Sequence, residues 1–299
     1  MRGVRLDVRH TTVSSYTARV EVAYHCAHLT PRDDDRQQVE RFRLTIDPPP
    51  AQCIASRDSF GNVRTEFSLH VPHQQLVVSV ESRVTVRPRG RAVEENAAVA
   101  WEQVAAELRY AAGAPFRRAS EFVYASPYVP LQPLLTDYAR SSFPAGRSVL
   151  AAARDLMQRI HRDFRYQAGV TEVGTPLVEV FRDRRGVCQD FAHLMIAMLR
   201  GLGLPARYVS GYLLTRPPPG RARLVGADAS HAWVSIWCPN LGWIDLDPTN
   251  AVLPEADHVT LAIGRDYGDV MPLRGVIQGG ASHTVEVSVD VVPAAERAD

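Results

Sequence analysis

Apolar and polar residues alternate along the first third of the chain with the period of two that a half-buried strand requires. Residues 4–8, 18–22 and 42–46 each follow it. Pro48-Pro49-Pro50 and Phe60-Gly61-Asn62 then punctuate the chain, after which the alternation resumes at 63–69 and 76–86. Several short strands separated by such turns predict an antiparallel β-sandwich over residues 1–88. Pro88-Arg89-Gly90-Arg91 marks a linker to a second domain over residues 89–299.

In that second part the spacing changes to three and four. Helical patterns cover 99–110 and 131–138, and Ser148 can cap a helix running to about residue 161. A short helix opens at Pro176. The apolar set Phe191, Leu194, Met195, Met198, Leu199 and Leu202 predicts a buried amphipathic helix over 187–202. Gly203 ends it and Pro205 prevents its return. Strands are expected at 206–214, 231–237 and 243–246, with a loop at Pro217-Pro218-Pro219-Gly220, and a last strand at about 284–292. Helices packed on an antiparallel sheet make an α+β arrangement, with the core of the second domain at about 148–255.

Composition narrows the function. Hydrophobic residues make up 45 % of the 299 and charged residues 22 %, with a net charge of +1. This is the profile of an ordinary globular protein, and it gives no electrostatic case for nucleic acid or a membrane surface as partner. No secretory apolar core opens the chain and no 18-residue apolar run follows, so a cytoplasmic location is expected. Cysteines stand at 26, 53, 188 and 238 without a CxxC pair, which fits a reducing compartment and not a structural zinc site.

Cys188 is placed for chemistry. Gly186 breaks the chain just before the helical segment, so the sulfur falls at a helix N-terminus, where the backbone field favours thiolate. Downstream, His231 can act as base, and Asp247 or its neighbour Asp245 can orient that histidine; spacing alone does not choose between the two. Cys26, Cys53 and Cys238 read as small buried hydrophobes. Asp190 reads as an N-terminal turn residue and His193 as packing, with no second histidine at metal-ligand spacing. Tyr166, Tyr212, Trp233 and Trp243 read as core rather than as a cleft lining. Neither a GxSxG nor a phosphate loop is present.

The stretches Arg185-Gly186-Val187-Cys188-Gln189-Asp190-Phe191-Ala192-His193, Leu204-Pro205-Ala206-Arg207-Tyr208-Val209-Ser210-Gly211-Tyr212, His231-Ala232-Trp233-Val234 and Gly242-Trp243-Ile244-Asp245-Leu246-Asp247-Pro248-Thr249 resemble the bacterial transglutaminase-like superfamily. His10-Thr11-Thr12-Val13, Leu29-Thr30-Pro31-Arg32 and Asp58-Ser59-Phe60-Gly61-Asn62 are similar to that family's N-terminal domain. The resemblance implies a papain-like core with a Cys188, His231 and Asp247 triad, the carboxylate before Pro-Thr being the family's. It implies attack of Cys188 on a carboxamide or peptide carbonyl to give a thioester. The oxyanion would rest on the Cys188 N–H and a second donor, for which Tyr166 and Gln189 are candidates. The expected function is cofactor-free and metal-free hydrolysis of an amide or peptide substrate, with amine transfer or an inactive binding module as alternatives.

Overall fold

The computed structural model describes residues 3–88, 99–113, 116–215 and 230–294. The linker at Arg89-Gly90-Arg91 and the proline loop at 217–220 lie outside them. Five strands come first: β1 (Val4–Ala27), β2 (Gln37–Asp47), β3 (Gln52–Arg57), β4 (Val63–Leu69) and β5 (His73–Val86), joined in the order β2-β5-β1-β4-β3. The long β1 is the organiser. Its first half pairs with β5, the register shifts between Ser15 and Val20, and its second half pairs with β4. Both halves contribute to one apolar cluster, in which Tyr16, Val20 and Ala23 of β1 meet Phe67 and Leu69 of β4 and Leu76 and Val78 of β5. This is the sandwich that the alternation predicts, made by one shared strand.

The end of the chain joins the same sheet. β12 (Leu273–Gly279) pairs with the second half of β1, and β13 (His283–Pro293) with the first half. The expected boundary at 88/89 put this last strand with the second domain. Alternation states that a segment is a strand but not which sheet takes it, and here β1 offers a free side.

The second module is layered. Helices α1 (Trp101–Leu108), α2 (Pro133–Arg140), α3 (Val149–Asp163), α4 (Leu177–Asp183) and α5 (Cys188–Gly201) precede a sheet of β8 (Ala206–Leu213), β9 (Ser230–Cys238), β10 (Gly242–Leu246) and β11 (His258–Gly264), ordered β10-β9-β8-β11. Two short strands, β6 (Arg165–Tyr166) and β7 (Arg185–Gly186), pair in parallel, and α6 (Tyr267–Val270) follows β11. The Ser148 hydroxyl accepts from Ala151 N and caps α3. α5 is buried on every side from Asp190 to Arg200, so it is the central helix rather than a surface one. Gly203, at φ 77°, ends it with its N–H donating to the Arg200 carbonyl. Among the described residues no helix is long and apolar enough to cross a membrane.

Two interactions lock the modules together. Leu6, Val8, Val84, Val86, Val289 and Val291 of the first sheet are buried in the same cluster as α5 and β8. At roughly 1.5–3 kcal/mol per buried side chain, these six supply on the order of 10 kcal/mol of gross apolar stabilisation. The open edge of β11 is closed by side-chain amides. Gln37 Nε2 donates to the Thr260 carbonyl (2.9 Å) while Thr260 N donates to Gln37 Oε1 (2.8 Å). Asn62 does the same at Ile263, at 2.7 and 2.9 Å.

Candidate active site

Cys188 is the first residue of α5, and its immediate neighbours explain the glycine before it. The Asp190 carboxylate accepts from Val187 N (2.8 Å) and from the Thr171 hydroxyl (2.7 Å), tying down the start of the helix. A Cβ at position 186 would lie 2.7 Å from Asp190 Oδ2 and 3.0 Å from Asp190 Cβ, so a larger residue there would push the cap away. Asp190 therefore fills the helix-start role read from the sequence. Burial raises its carboxyl above the usual value, against the two hydrogen bonds.

His231 lies on β9 opposite Gly211 of β8, and Asp247 stands just past the end of β10. The His231 Nε2–H donates to Asp247 Oδ2 at 2.7 Å, and the Cys188 thiol shares one cleft with the ring and adds to its basicity. With Nε2 occupied by the carboxylate, Nδ1 is the nitrogen left for sulfur. Asp247 is fully buried but well satisfied: Oδ1 accepts from Thr249 N (2.9 Å) and Asn250 N (3.2 Å), and Oδ2 also from Asn250 Nδ2 (2.7 Å). Asp245 is engaged elsewhere, paired at 3.0 Å with Arg36 of the first module. The structure thus brings Cys188, His231 and Asp247 together and leaves Asp245 out.

The electrostatics follow from this geometry. Burial alone would pull His231 down, but the hydrogen bonds and charges of Asp247 and Cys188 reverse it and raise the imidazole from 6.5 to about 10. Burial would raise Asp247, yet the bonds from His231, His258 and Asn250 hold it below the ordinary carboxylate range.

The profile described as the transglutaminase-like superfamily matches residues 137–248, and that of the bacterial transglutaminase-like N-terminal region matches 6–85. The chain belongs to the transglutaminase-like superfamily. An uncharacterized protein of Mycobacterium tuberculosis is 42% identical over 296 residues, covering 97% of this chain and 93% of that protein. A protein-glutamine gamma-glutamyltransferase of Pseudomonas aeruginosa is 37% identical over 125 residues, 40% of this chain and 18% of that protein. A crystal structure from Cytophaga hutchinsonii, described as that of a candidate cysteine protease, shares the fold with a TM-score of 0.74 at 18% identity, covering 99% of this chain and 92% of that chain.

In this transglutaminase-like core, one site residue has no signal in the sequence. His258 on β11 reaches Asp247 Oδ2 through Nε2 (3.4 Å) and Asp257 Oδ1 through Nδ1 (2.6 Å). Burial lowers its basicity, and the two carboxylates more than restore it. It arrives because β11 pairs with β8, a long-range neighbour that periodicity does not reveal. Asn250, by contrast, sits in the Pro-Thr-Asn turn after Asp247, where a turn residue able to cap a carboxylate is legible.

His231, Asp247 and His258 are also the group among the described residues whose donor atoms, within 4.8 Å of one another, could converge on a metal ion. The 2.7 Å separation of His231 Nε2 and Asp247 Oδ2 is a hydrogen-bond distance, shorter than the spacing of two donors each ~2.0–2.1 Å from a tetrahedral zinc ion. The arrangement is built for a shared proton.

Tyr166 and Gln189, the candidate oxyanion donors, both line the cleft that holds Cys188. Tyr166 is 52% exposed there, not core, whereas Tyr212 and Trp233 are fully buried. Trp243 packs under the Arg207 guanidinium, 4.2 Å from the ring centroid. His193 is buried between the rings of Tyr128 and Tyr208 and accepts from Tyr267 N at 3.1 Å; burial lowers it to about 3, so it is a neutral packing residue. All four cysteines are free. Cys238 is buried, but Cys53 is exposed and Cys26 half-buried, so the expectation of buried hydrophobes fails for those two. Both sit on β-strands of the first module whose outer face meets solvent, a distinction that alternation does not make.

Proposed function

We propose that the protein is a cysteine-dependent acyl-transfer enzyme that hydrolyses an amide or peptide bond through a thioester on Cys188. The observation that carries the reading is that Cys188 and His231 share one cleft, with His231 hydrogen-bonded to the buried Asp247 carboxylate. His231 takes the thiol proton, and the sulfur attacks the carbonyl carbon of the substrate amide. As the tetrahedral intermediate collapses, the C–N bond breaks and His231 gives its proton to the departing nitrogen, leaving the acyl group on sulfur. Water then attacks with His231 as base. The new C–O bond replaces the C–S bond, and the sulfur regains its proton.

Asp247 keeps Nε2 protonated, so Nδ1 faces the sulfur, and it balances the imidazolium that forms. The Cys188 backbone N–H, at the start of α5, suits the developing oxyanion, with Tyr166 or Gln189 as the side-chain donor. A second reading, transfer to a primary amine instead of water, is favoured by the likeness to the Pseudomonas aeruginosa gamma-glutamyltransferase.

Mass spectrometry of glutamine-containing peptides incubated with and without excess primary amine tests both readings. Hydrolysed product in both samples supports the hydrolase, and amine incorporation supports the transferase. A Cys188 that iodoacetamide labels at pH 6 no faster than free cysteine would overturn the enzyme reading.

A further inference from the structure

The first module does more than pack against the second. The cleft that holds Cys188, about 390 Å³, is walled on its far side by residues of the N-terminal sheet: Thr12 on β1, and Val285 and Val287 on β13. Their direction is fixed by register. Antiparallel partners share a face, and β1 pairs Thr12 with Val287, Ser14 with Val285 and His10 with Val289. The same face of β13 holds Val289 and Val291, both fully buried in the core of the catalytic module. Moving back along β13, the sheet leaves that core. Val287 and Val285 emerge 54% and 52% exposed, still aimed at the side on which Cys188 lies. The core's apolar surface therefore continues as the cleft wall.

The chemistry of the lining is uniform. Apart from the cysteine and histidine pair, its polar members among the described residues are hydroxyls, an amide and His10, with no Asp, Glu, Lys or Arg. His10 is committed on both ring nitrogens, to Thr12 Oγ1 (2.8 Å) and Tyr212 OH (3.0 Å), and burial lowers it to about 4, so it adds no charge. An ionic side chain entering this cleft would lose water and, among the described lining residues, meet no charged group beyond the Cys188–His231 pair. An apolar one would cover Val285 and Val287 together with the ring of Tyr166.

We infer that the N-terminal sheet is the specificity wall of the cleft, selecting acyl donors whose side chain next to the reacting carboxamide is uncharged and apolar. The inference rests on Cys188 being the nucleophile of the proposed reaction.

The test has two independent readouts. In the first, Cys188 is alkylated with iodoacetamide and with N-phenyl iodoacetamide, followed by mass spectrometry of the Cys188 peptide, and the ratio of rates is compared with that of free cysteine. The wall predicts a ratio about tenfold in favour of the phenyl reagent, in line with burying a ring-sized apolar group. The double variant Val285→Asp, Val287→Asp should return the ratio to that of free cysteine, while Val276→Asp, on an exposed site outside the cleft, should keep it. In the second, kcat/KM is compared for acetyl-Leu-Gln-Gly-amide and acetyl-Glu-Gln-Gly-amide. A preference for the leucine peptide that disappears in the double variant supports the wall. Turnover of both peptides without preference, together with an alkylation ratio that ignores the valines, overturns the wall and leaves the proposed function standing. A valine-dependent alkylation ratio without turnover of either peptide overturns the proposed function and leaves the wall.

Discussion

Replacing Asp247 by Asn keeps the size of the side chain and its two backbone donors, Thr249 N and Asn250 N, but removes the charge that holds His231. The newly introduced side-chain amide would face Nε2 with its N–H, so Nε2 must accept and the ring proton moves to Nδ1, toward sulfur. His231 can then no longer take the thiol proton. The imidazole stands at about 10 instead of 6.5, and a difference of that size corresponds to about 5 kcal/mol between its charged and neutral forms. Asp247 is the leading contributor among the groups that raise it, with Cys188 second. Between half and all of that energy, expressed in the transition state, is a loss of about 10²–10⁴ in kcat/KM. The assay is the pH dependence of Cys188 alkylation by iodoacetamide, paired with turnover of a glutamine peptide. In the Asp247→Asn variant the plateau at neutral pH should vanish and the rate should climb only in alkaline solution. An unchanged profile with a rate within threefold of the parent would refute the assignment of Asp247 as orienter.

The same pair governs stability against pH. Asp247 titrates below its unfolded value and contributes above about pH 4, while His231 titrates above its unfolded value, contributing fully below about pH 6.5 and losing that contribution as pH rises toward 10. The difference in Tm between the parent and Asp247→Asn should be greatest between those limits and shrink on both sides; a difference independent of pH would contradict the linkage. Gly186→Ala should displace the Asp190 cap and cost about 1–2 kcal/mol in urea unfolding, with slower Cys188 alkylation. His258→Ala should cost about 2–4 kcal/mol, by removing the bonds to Asp247 and Asp257 and leaving a gap, while Cys188 still alkylates faster than free cysteine. Gln37→Ala should leave the Thr260 N–H without its partner at the edge of β11, while the carbonyl keeps Arg32 N, a loss of about 1–3 kcal/mol seen as a lower denaturation midpoint.

The parts of the molecule governed by local spacing were readable in the chain. Alternation marks the strands of the sandwich, and the three-and-four pattern after Gly186 marks α5, because burial acts on neighbours in sequence. The stop at Gly203 is legible for the same reason, since the positive φ there favours glycine. What depends on pairing at long range was not readable. β13 carries a clear strand pattern, yet its attachment to β1 and its position over the cleft come from sheet order. His258 reaches Asp247 through the β8–β11 pairing. The choice of Asp247 over Asp245 came from the resemblance and not from alternation, which treats the two alike. In the structure Arg36, from a loop more than two hundred residues away, occupies Asp245.

The two amides on the edge of β11 set a limit on motion. Gln37 and Asn62 each stand in for a peptide unit, so the edge presents no run of open backbone groups to a passing strand. Swinging the N-terminal sheet away would break four such bonds at once and leave a bare, adhesive edge. The amides therefore tie the N-terminal sheet, and with it the Thr12, Val285 and Val287 side of the cleft, to the second module.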